Sequence, residues 1–177
     1  MKKYEFTGET KEIRLLFRTA TLHRIRATVA FGIVEVGDLG GWIEKEENLS
    51  HEGKAWVWGN AKVWGNAKVC GDAEVCGDAK VCGDAEVCGD AKVFSASHVL
   101  VIGAIGSRND FTTFYRDKDN EITVKCGCFL GKIDRFLEKV TQTHGDSKYA
   151  LVYRAAVEVA KLQIDLSGEA PKDADEE

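Results

Sequence analysis

The sequence predicts a mainly β protein with a β cap, a stack of short parallel strands and a small C-terminal module that also contains helices. Six near-identical hexapeptides occupy 57–92, and a repeat this strict determines the fold of its segment. Before the repeat, apolar and polar residues alternate as in strands; after it, apolar residues recur at helical spacing. The composition has 18 glycines and six cysteines but one proline, which excludes Pro-rich and collagen-like chains.

The hexapeptides read VWGNAK twice, followed by VCGDAE and VCGDAK in alternation. Within each unit the alanine and valine point to one face, and the lysine or glutamate and the tryptophan or cysteine point to the other. Gly-Asn or Gly-Asp then turns the chain, because these residues tolerate positive φ angles. A helix is excluded because six-residue spacing drifts around a helical surface. The repeat therefore predicts a parallel solenoid of four-residue strands and two-residue corners.

The pattern of an aliphatic residue, three variable residues, a small residue and one further variable residue resembles the hexapeptide repeat of left-handed parallel β-helices. The resemblance implies a short left-handed β-helix with about 18 residues in each triangular coil. Residues 18 apart would then be neighbours on adjacent strands. This register pairs Lys68 with Glu86 and Glu74 with Lys92, both favourable, and predicts a less favourable column of Lys62, Lys80 and His98.

Four of the six cysteines belong to the repeat, and the same register makes Cys70 and Cys88 neighbours. The repeat cysteines are interpreted as small, semi-apolar surface residues, with a Cys70–Cys88 disulfide or a metal site as the alternatives. No CxxC spacing is present. The corner aspartates are interpreted as turn residues rather than calcium ligands, because each hexapeptide carries only one.

Four segments are predicted: 1–54 as the strand cap and a first irregular coil, 55–104 as the hexapeptide-repeat β-helix, 105–166 as a ββαα module and 167–177 as a disordered acidic tail. In the cap, residues 1–31 hold seven basic and three acidic residues, whereas residues 32–53 hold six acidic and one basic residue. This asymmetry predicts an intramolecular or intersubunit charge match, with a partner-binding surface as the alternative.

The ββαα module is predicted from a hairpin and two amphipathic helices. Residues 111–116 and 121–126 flank the polar turn 117–120. Apolar residues at helical spacing predict a first helix that Gly145 ends, and a second helix capped by Asp146 or Ser147 that runs to about Ile164. The segment from Cys126 to Cys128 is interpreted as packing at the end of a hairpin, with metal binding or oxidation as the alternative.

Two further segments resemble those of a family of uncharacterised phage and prophage proteins. A DLGGWIE segment (38–44) precedes the repeats, and a GSRN…TTFYR…KCGCF…IDRFLEKV…THGD module (106–146) follows them. This sequence has Asp134-Arg135 where the family has an acidic dipeptide. The resemblance covers about 22–165 and implies a viral or prophage origin and an accessory role.

We expect a non-catalytic, phage-type protein-binding module. Its most concrete form is an anti-CRISPR-like inhibitor that occludes a host defence nuclease. Eight residues are predicted to bind the partner, because tryptophan, tyrosine and arginine are enriched at interface hot spots. They are Trp56, Trp58, Trp64, Arg24, Arg26, Arg108, Tyr115 and Arg116.

No catalytic residue, cofactor or metal is assigned, and a homo-oligomer is expected. The net charge of -5 gives no support for direct nucleic-acid binding. No signal peptide or membrane-spanning run is evident in the sequence, so a cytoplasmic location, in a host cell if the protein is phage-encoded, and no membrane partner are expected.

Two alternatives remain open. One is a hexapeptide-repeat acyltransferase that uses acyl-CoA and a histidine base, but the regular repeats contain none of the four histidines, which are His23, His51, His98 and His144. The other is a self-assembling structural protein built by stacking of β-helix ends or of tryptophan faces.

Overall fold

A computed structural model describes residues 2–168 of the chain. Three strands precede the repeat: β1 (Tyr4–Arg14), β2 (Thr19–Ala27) and β3 (Leu39–Ile43). The repeat region forms seven two-residue strands: β4 (Trp56–Val57), β5 (Lys62–Val63), β6 (Lys68–Val69), β7 (Glu74–Val75), β8 (Lys80–Val81), β9 (Glu86–Val87) and β10 (Lys92–Val93). Four strands and two helices follow: β11 (Val99–Ile105), β12 (Asp110–Arg116), β13 (Ile122–Cys126), β14 (Phe129–Lys132), α1 (Ile133–His144) and α2 (Lys148–Gln163).

The strands form several small sheets, so the predicted fold class is wrong in its central element. The sheets are a mixed sheet β1-β2-β3-β5-β8, a parallel sheet β10-β7-β4, a parallel pair β6-β9 and an antiparallel sheet β11-β12-β13-β14. The protein is mainly β with two C-terminal helices, but no single left-handed β-helix is indicated. The reason lies in the repeat. In each hexapeptide the turn and the residues on either side of it lie outside the strand, so each strand is only two residues long.

The predicted register of 18 residues is confirmed within the repeat region. Lys68 pairs with Glu86, and Lys92 pairs with Glu74 and forms an ion pair with it. Lys62 pairs with Lys80, but His98 leaves that column and is buried in a short 3-10 helix. Valines repeat at the same interval, so they lie one above another in a fully buried core.

Cys70 and Cys88 form a disulfide, the outcome that the sequence analysis held as an alternative to surface packing. Their Cα atoms are 4.6 Å apart, close to the spacing of adjacent strands. The bond joins the segments that follow β6 and β9, the two strands of the smallest sheet.

The N-terminal strands are continuous with the repeat rather than a separate cover. Strand β3 pairs in parallel with β5, through Trp42 with Lys62 and Ile43 with Val63. The β1–β2 hairpin extends the same sheet on its other side, through antiparallel pairing of β2 with β3. The boundary placed at residue 54 therefore falls between elements that share one sheet.

The C-terminal module has four strands rather than the two predicted. The predicted hairpin is confirmed, with Arg116 opposite Ile122 and Thr112 opposite Cys126. Strand β11 joins on one side and β14 on the other. Both predicted helices are confirmed; Gly145 follows α1 with φ 55° and Ser147 precedes α2. Of the predicted tail, 169–177 lie outside the described residues.

Strands β11 and β12 lie between two hydrophobic cores. Val99, Val101 and Tyr115 pack against the core of the repeat region. The alternating residues, including Leu100 and Phe114, pack against the core formed with α1 and α2. The buried Tyr115 hydroxyl also donates a hydrogen bond of 2.8 Å to the carbonyl of Cys88. The module is thereby attached to the repeat region by both apolar and polar contacts.

Glycine at a hexapeptide corner can serve two purposes: it adopts a positive φ angle, and it allows close packing against the neighbouring corner. Gly71 and Gly83 distinguish these purposes. Both have positive φ angles, +70° and +67°. A Cβ added to Gly71 would lie 2.8 Å from the backbone nitrogen of Gly89, whereas one added to Gly83 would meet nothing within 4 Å. We expect Gly83→Ala to lower the free energy of unfolding by about 1 kcal/mol, from backbone strain alone. Gly71→Ala should cost at least about 1 kcal/mol more because of the clash.

Urea unfolding of both variants checks this prediction. Equal losses of stability would contradict it, since they would mean that the corners do not stack as closely as the structure has them.

Candidate functional site

The three predicted tryptophans do not form an exposed face. Trp56 is completely buried, with its ring edge-to-face against Phe31 at 5.4 Å and against Trp58 at 6.4 Å. Trp58 and Trp64 are partly exposed. Trp56 lies at an outward position of the repeat pattern, but Phe31 and Tyr4 from the N-terminal segment cover it. Its burial leaves Trp56 no surface for a partner.

Tyr115 and Arg116 are also buried and hold the fold together. Tyr115 contacts Cys88, as described above. The guanidinium of Arg116 donates to the side chain of Asn120 and to the carbonyls of Ser167 and Gly168, and it lies 4.7 Å from the ring centre of Phe94. Arg116 thus anchors the last described residues of the chain.

Arg24 and Arg26 lie on the accessible side of the β1–β2 hairpin and pair within it. Arg24 contacts Glu9 at 3.3 Å, and Arg26 contacts Glu5 at 3.1 Å. The basic N-terminal strands also meet the acidic loop: Arg18 pairs with Glu44, which keeps the pKa of that carboxyl below its ordinary value through the side-chain hydrogen bond. The predicted intramolecular charge match is therefore present. Such exposed pairs contribute little stability, typically about 0–1 kcal/mol each.

The turn between β1 and β2 carries the most exposed aromatic side chain, which the sequence analysis did not single out. Leu16 is 88% exposed and Phe17 95% exposed. Arg14 and Arg18 flank them, and Leu15 beside them is half-buried. We call 14–18 the hairpin tip. Its signal in the sequence was an Arg-Leu-Leu-Phe-Arg run without alternation, which does not suit a half-buried strand.

Helix α2 presents a second exposed apolar surface. Leu151, Ala155, Val159 and Leu162 recur at spacings of four, four and three, so they lie along one side of the helix. Leu162 is 89% exposed. We call these four residues the α2 stripe. The sequence predicted an amphipathic helix here, but the apolar stripe was not singled out.

Three segments of the GSRN…KCGCF…THGD module meet at one cleft of about 490 Å³, which we call the C-terminal cleft. Ser107, Arg108 and Asp110 line it from the β11–β12 connection, and Cys126, Gly127 and Cys128 from the β13–β14 turn. Lys139 and His144 line it from α1 and Tyr153 from α2. Of the eight predicted partner-binding residues, only Arg108 lies here.

The floor of the C-terminal cleft depends on a close approach between Gly106 and Tyr153. A Cβ on Gly106 would lie 1.9 Å from the Tyr153 hydroxyl, and Gly106 has φ +73°. Only glycine therefore fits beside this tyrosine. Burial and, to a smaller extent, the neighbouring Cys126 raise the pKa of Tyr153 to about 12. The phenol accordingly stays protonated at neutral pH.

Cys126 is the last residue of β13, Cys128 is the second residue of the two-residue turn to β14, and both are free thiols. Cys126 accepts a hydrogen bond from the Thr112 hydroxyl at 3.3 Å, and Cys128 is exposed. Within residues 2–168, no group of three or more histidine, cysteine, aspartate or glutamate side chains is arranged to hold a metal ion.

The histidines differ in accessibility. His51 Nδ1 accepts from the backbone N–H of Lys3 at 3.2 Å, and His98 Nδ1 accepts from that of Phe94 at 3.3 Å. Burial lowers the pKa of both rings. Of the four histidines, which are His23, His51, His98 and His144, it is His144 that lines the C-terminal cleft.

A buried lysine, Lys3, was also missed by the sequence analysis. Its ammonium donates to the carbonyl of Ala55 at 2.7 Å and lies 4.8 Å from the ring centre of Phe31. Burial lowers its pKa to about 8, although Asp72 opposes the shift. Lys3 ties the start of the chain to the first strand of the repeat.

Comparison with known proteins adds no assignment: no family model matches this sequence, and no curated protein matches it. No helix within 2–168 is long and apolar enough to cross a membrane.

Asp117, in the turn after β12, is the most connected buried carboxylate of the module. It is 3% exposed and accepts from the backbone N–H groups of Asp119 and Glu121, the Thr123 hydroxyl and the Lys132 ammonium at distances of 2.6–3.2 Å. Burial alone would raise the pKa of Asp117, but the hydrogen bonds from Lys132 and Thr123 outweigh burial and hold the pKa below its ordinary value.

Stability should therefore depend on the charge of Asp117. Because its pKa is lower in the folded than in the unfolded state, the stabilisation is present above about pH 4 and is lost as the pH falls through the folded-state pKa. We expect Asp117→Asn to lower the free energy of unfolding at pH 7 by about 1.5–3 kcal/mol. The deficit should shrink toward pH 3, as the wild-type carboxylate becomes protonated.

Urea unfolding between pH 3 and pH 7 measures this deficit, with Asp119→Asn as the matched control. Asp119 contacts the same lysine at 3.3 Å but is 57% exposed, so its replacement should cost less than about 0.5 kcal/mol. A deficit for Asp117→Asn that does not change with pH would contradict the charge-based account.

Proposed function

We propose that this protein is a protein-binding module whose main contact is the hairpin tip. The observation that carries the proposal is the near-complete exposure of Leu16 and Phe17, side by side between two arginines. Exposing two large apolar side chains together is unfavourable in water, and burying each in a partner contributes about 1.5–3 kcal/mol. Aromatic and arginine side chains also dominate the binding energy of many interfaces.

The hairpin tip is suited to insertion into a concave partner surface. Antiparallel pairing runs from Tyr4–Ala27 to Arg14–Thr19, with one register shift between Phe6 and Thr10, and is regular from Thr10 up to the tip. Arg18, the last residue of the tip, also forms an ion pair with Glu44, which follows β3. Pairing of β1 with β2 up to the tip restricts the positions of the apolar side chains, which reduces the entropy lost on binding.

The partner that we propose is a protein of a bacterial host cell, and the phage resemblance of segments 38–44 and 106–146 supports this choice. An anti-CRISPR-like inhibitor that occludes a host defence nuclease is the most concrete form of this function. Such a role requires the protein to act in the host cytoplasm, which is the location we propose.

Replacing both apolar residues of the tip, as Leu16→Ser with Phe17→Ser, should remove binding without affecting the fold. Affinity purification from host lysate should recover one specific protein with the wild type. Recovery should fall at least about tenfold with the double variant, because hot-spot truncations commonly cost 2 kcal/mol or more. The free energy of unfolding should change by less than about 0.5 kcal/mol.

The matched control is Ile33→Ser, which removes an apolar side chain that is 66% exposed outside the tip. This variant should recover the partner as well as the wild type does. Recovery of the same protein by the double variant would show that the tip is not the interface. Recovery of no protein above background by the wild type would contradict the proposed function itself.

A second candidate function, self-association, is favoured by the α2 stripe. The stripe itself has no charged side chain, so a second copy of the same stripe is a chemically matched partner across a two-fold axis. Lys148 and Asp165, near the two ends of α2, would come near each other in an antiparallel pair of helices and add opposite charges.

Leu162→Glu should dissociate this dimer, because it places a charge in the apolar seam of both copies. Light scattering across a concentration series checks this, with Gln163→Glu as a control that adds the same charge to the next residue. A wild type that stays monomeric at high concentration would exclude self-association. A dimer that persists in Leu162→Glu would place the interface elsewhere.

A further inference from the structure

The C-terminal cleft combines an aromatic wall with cationic side chains and is separate from the hairpin tip. Phe129 lies 5.3 Å from Phe136, and Phe136 lies 5.5 Å from Tyr153, measured between ring centres. Phe136 and Tyr153 are buried and support the partly exposed ring of Phe129, and we call the three rings the aromatic wall. Arg108 and Lys139 line the same cleft from different elements. Neither forms an ion pair with another side chain of the described part of the chain.

The positions of these groups are supported by the backbone. Gly127 has φ +56°, and a Cβ there would lie 3.4 Å from Nη1 of Arg108, so the guanidinium rests against the β13–β14 turn. Asp110 also lines the cleft, but its carboxylate accepts from the N–H of Phe111 at 2.7 Å. With one aspartate against Arg108 and Lys139, the charged side chains of the lining are net positive.

We propose that the C-terminal cleft binds a small phosphorylated aromatic molecule such as a nucleoside monophosphate. The aromatic ring packs against Phe129, the partly exposed ring of the aromatic wall, and the phosphate pairs with Arg108 and Lys139. Stacking on aromatic side chains accepts any planar base, and arginine binds phosphate oxygens in a bidentate geometry.

The size of the cleft suits this ligand class. Its volume of about 490 Å³ lies within the range of about 300–1,000 Å³ typical of small-molecule sites. A phosphate alone would leave the partly exposed ring of Phe129 uncovered, and a neutral aromatic molecule would leave the two cations unpaired. The proposal therefore requires both halves of the ligand.

Alkylation of Cys128 can report ligand binding, because this exposed thiol lines the cleft. Cys82, an exposed thiol outside the cleft, serves as the control. Alkylation by iodoacetamide is followed at each cysteine by peptide mass spectrometry, with AMP and phenyl phosphate as the probes. Either probe at about 10 mM should slow alkylation of Cys128 severalfold and leave Cys82 unchanged, since a ligand with a dissociation constant of 1 mM is then about 90% bound. Adenosine and inorganic phosphate, the two halves of AMP, should each protect at least about tenfold less well.

Calorimetry with AMP and phenyl phosphate on charge variants completes the test. Arg108→Gln and Lys139→Gln should each weaken binding about tenfold or more. The control is Arg135→Gln, which removes an exposed arginine of α1 that does not line the cleft. A hairpin tip variant, Leu16→Ser with Phe17→Ser, should bind the probes normally, so failure of the protein-binding function leaves this proposal intact.

Several results would overturn the proposal. The first is absence of both binding and Cys128 protection with both probes. The second is binding that Arg108→Gln, Lys139→Gln and Arg135→Gln affect equally. The third is protection by inorganic phosphate as strong as that by AMP, which would indicate a simple anion site. Phenyl phosphate binding without AMP binding would exclude a nucleotide and assign a smaller phosphorylated ring as the ligand.

Discussion

Pairing between residues 18 apart is the constraint on which the rest of the molecule depends. It stacks Val57, Val75 and Val93 in one buried column, and a slip of one residue would turn every valine outward. Some corners pack so closely that only glycine fits, as the approach of Gly71 to Gly89 indicates. The N-terminal hairpin depends on the same register, because β3 continues the ladder that β5 and β8 begin.

The second half of the chain is attached through strands with two apolar faces. Phe114 faces the helices and Tyr115 faces the repeat core, so β12 is a wall shared by two cores. A module of four strands and two helices would bury little apolar surface by itself. Packing against the repeat supplies the missing burial, and the Cys88–Tyr115 hydrogen bond fixes the relative position of the two parts.

The limits of the sequence prediction have the same physical origin. The register of 18 residues came from the resemblance to left-handed parallel β-helices, since identical hexapeptides by themselves would also allow pairing at intervals of six or twelve. The prediction of a single left-handed β-helix was wrong, because the two-residue strands of the repeat form several small sheets. The N-terminal strands pair with one of these sheets. Strand β11 was missed because its run Val99–Ile105 does not alternate in polarity. Its alternate residues pack, partly buried, against two different cores, and a strand that has apolar contacts on both faces does not alternate in polarity.

Candidate functional residues were harder to predict than the register, because residue type does not determine exposure. Trp56 was expected at a partner surface, yet two rings from the N-terminal segment cover it, whereas Phe17 at a turn has nothing above it. Each hexapeptide places the same few side chains on the surface, so we expect a cluster of different side chains only outside the repeat. The C-terminal cleft lies outside the repeat, and the motifs that line it could be recognised in the sequence. The contact of Gly106 with Tyr153 could not, because it depends on the pairing of β11 with β12 and on the packing of α2 against them.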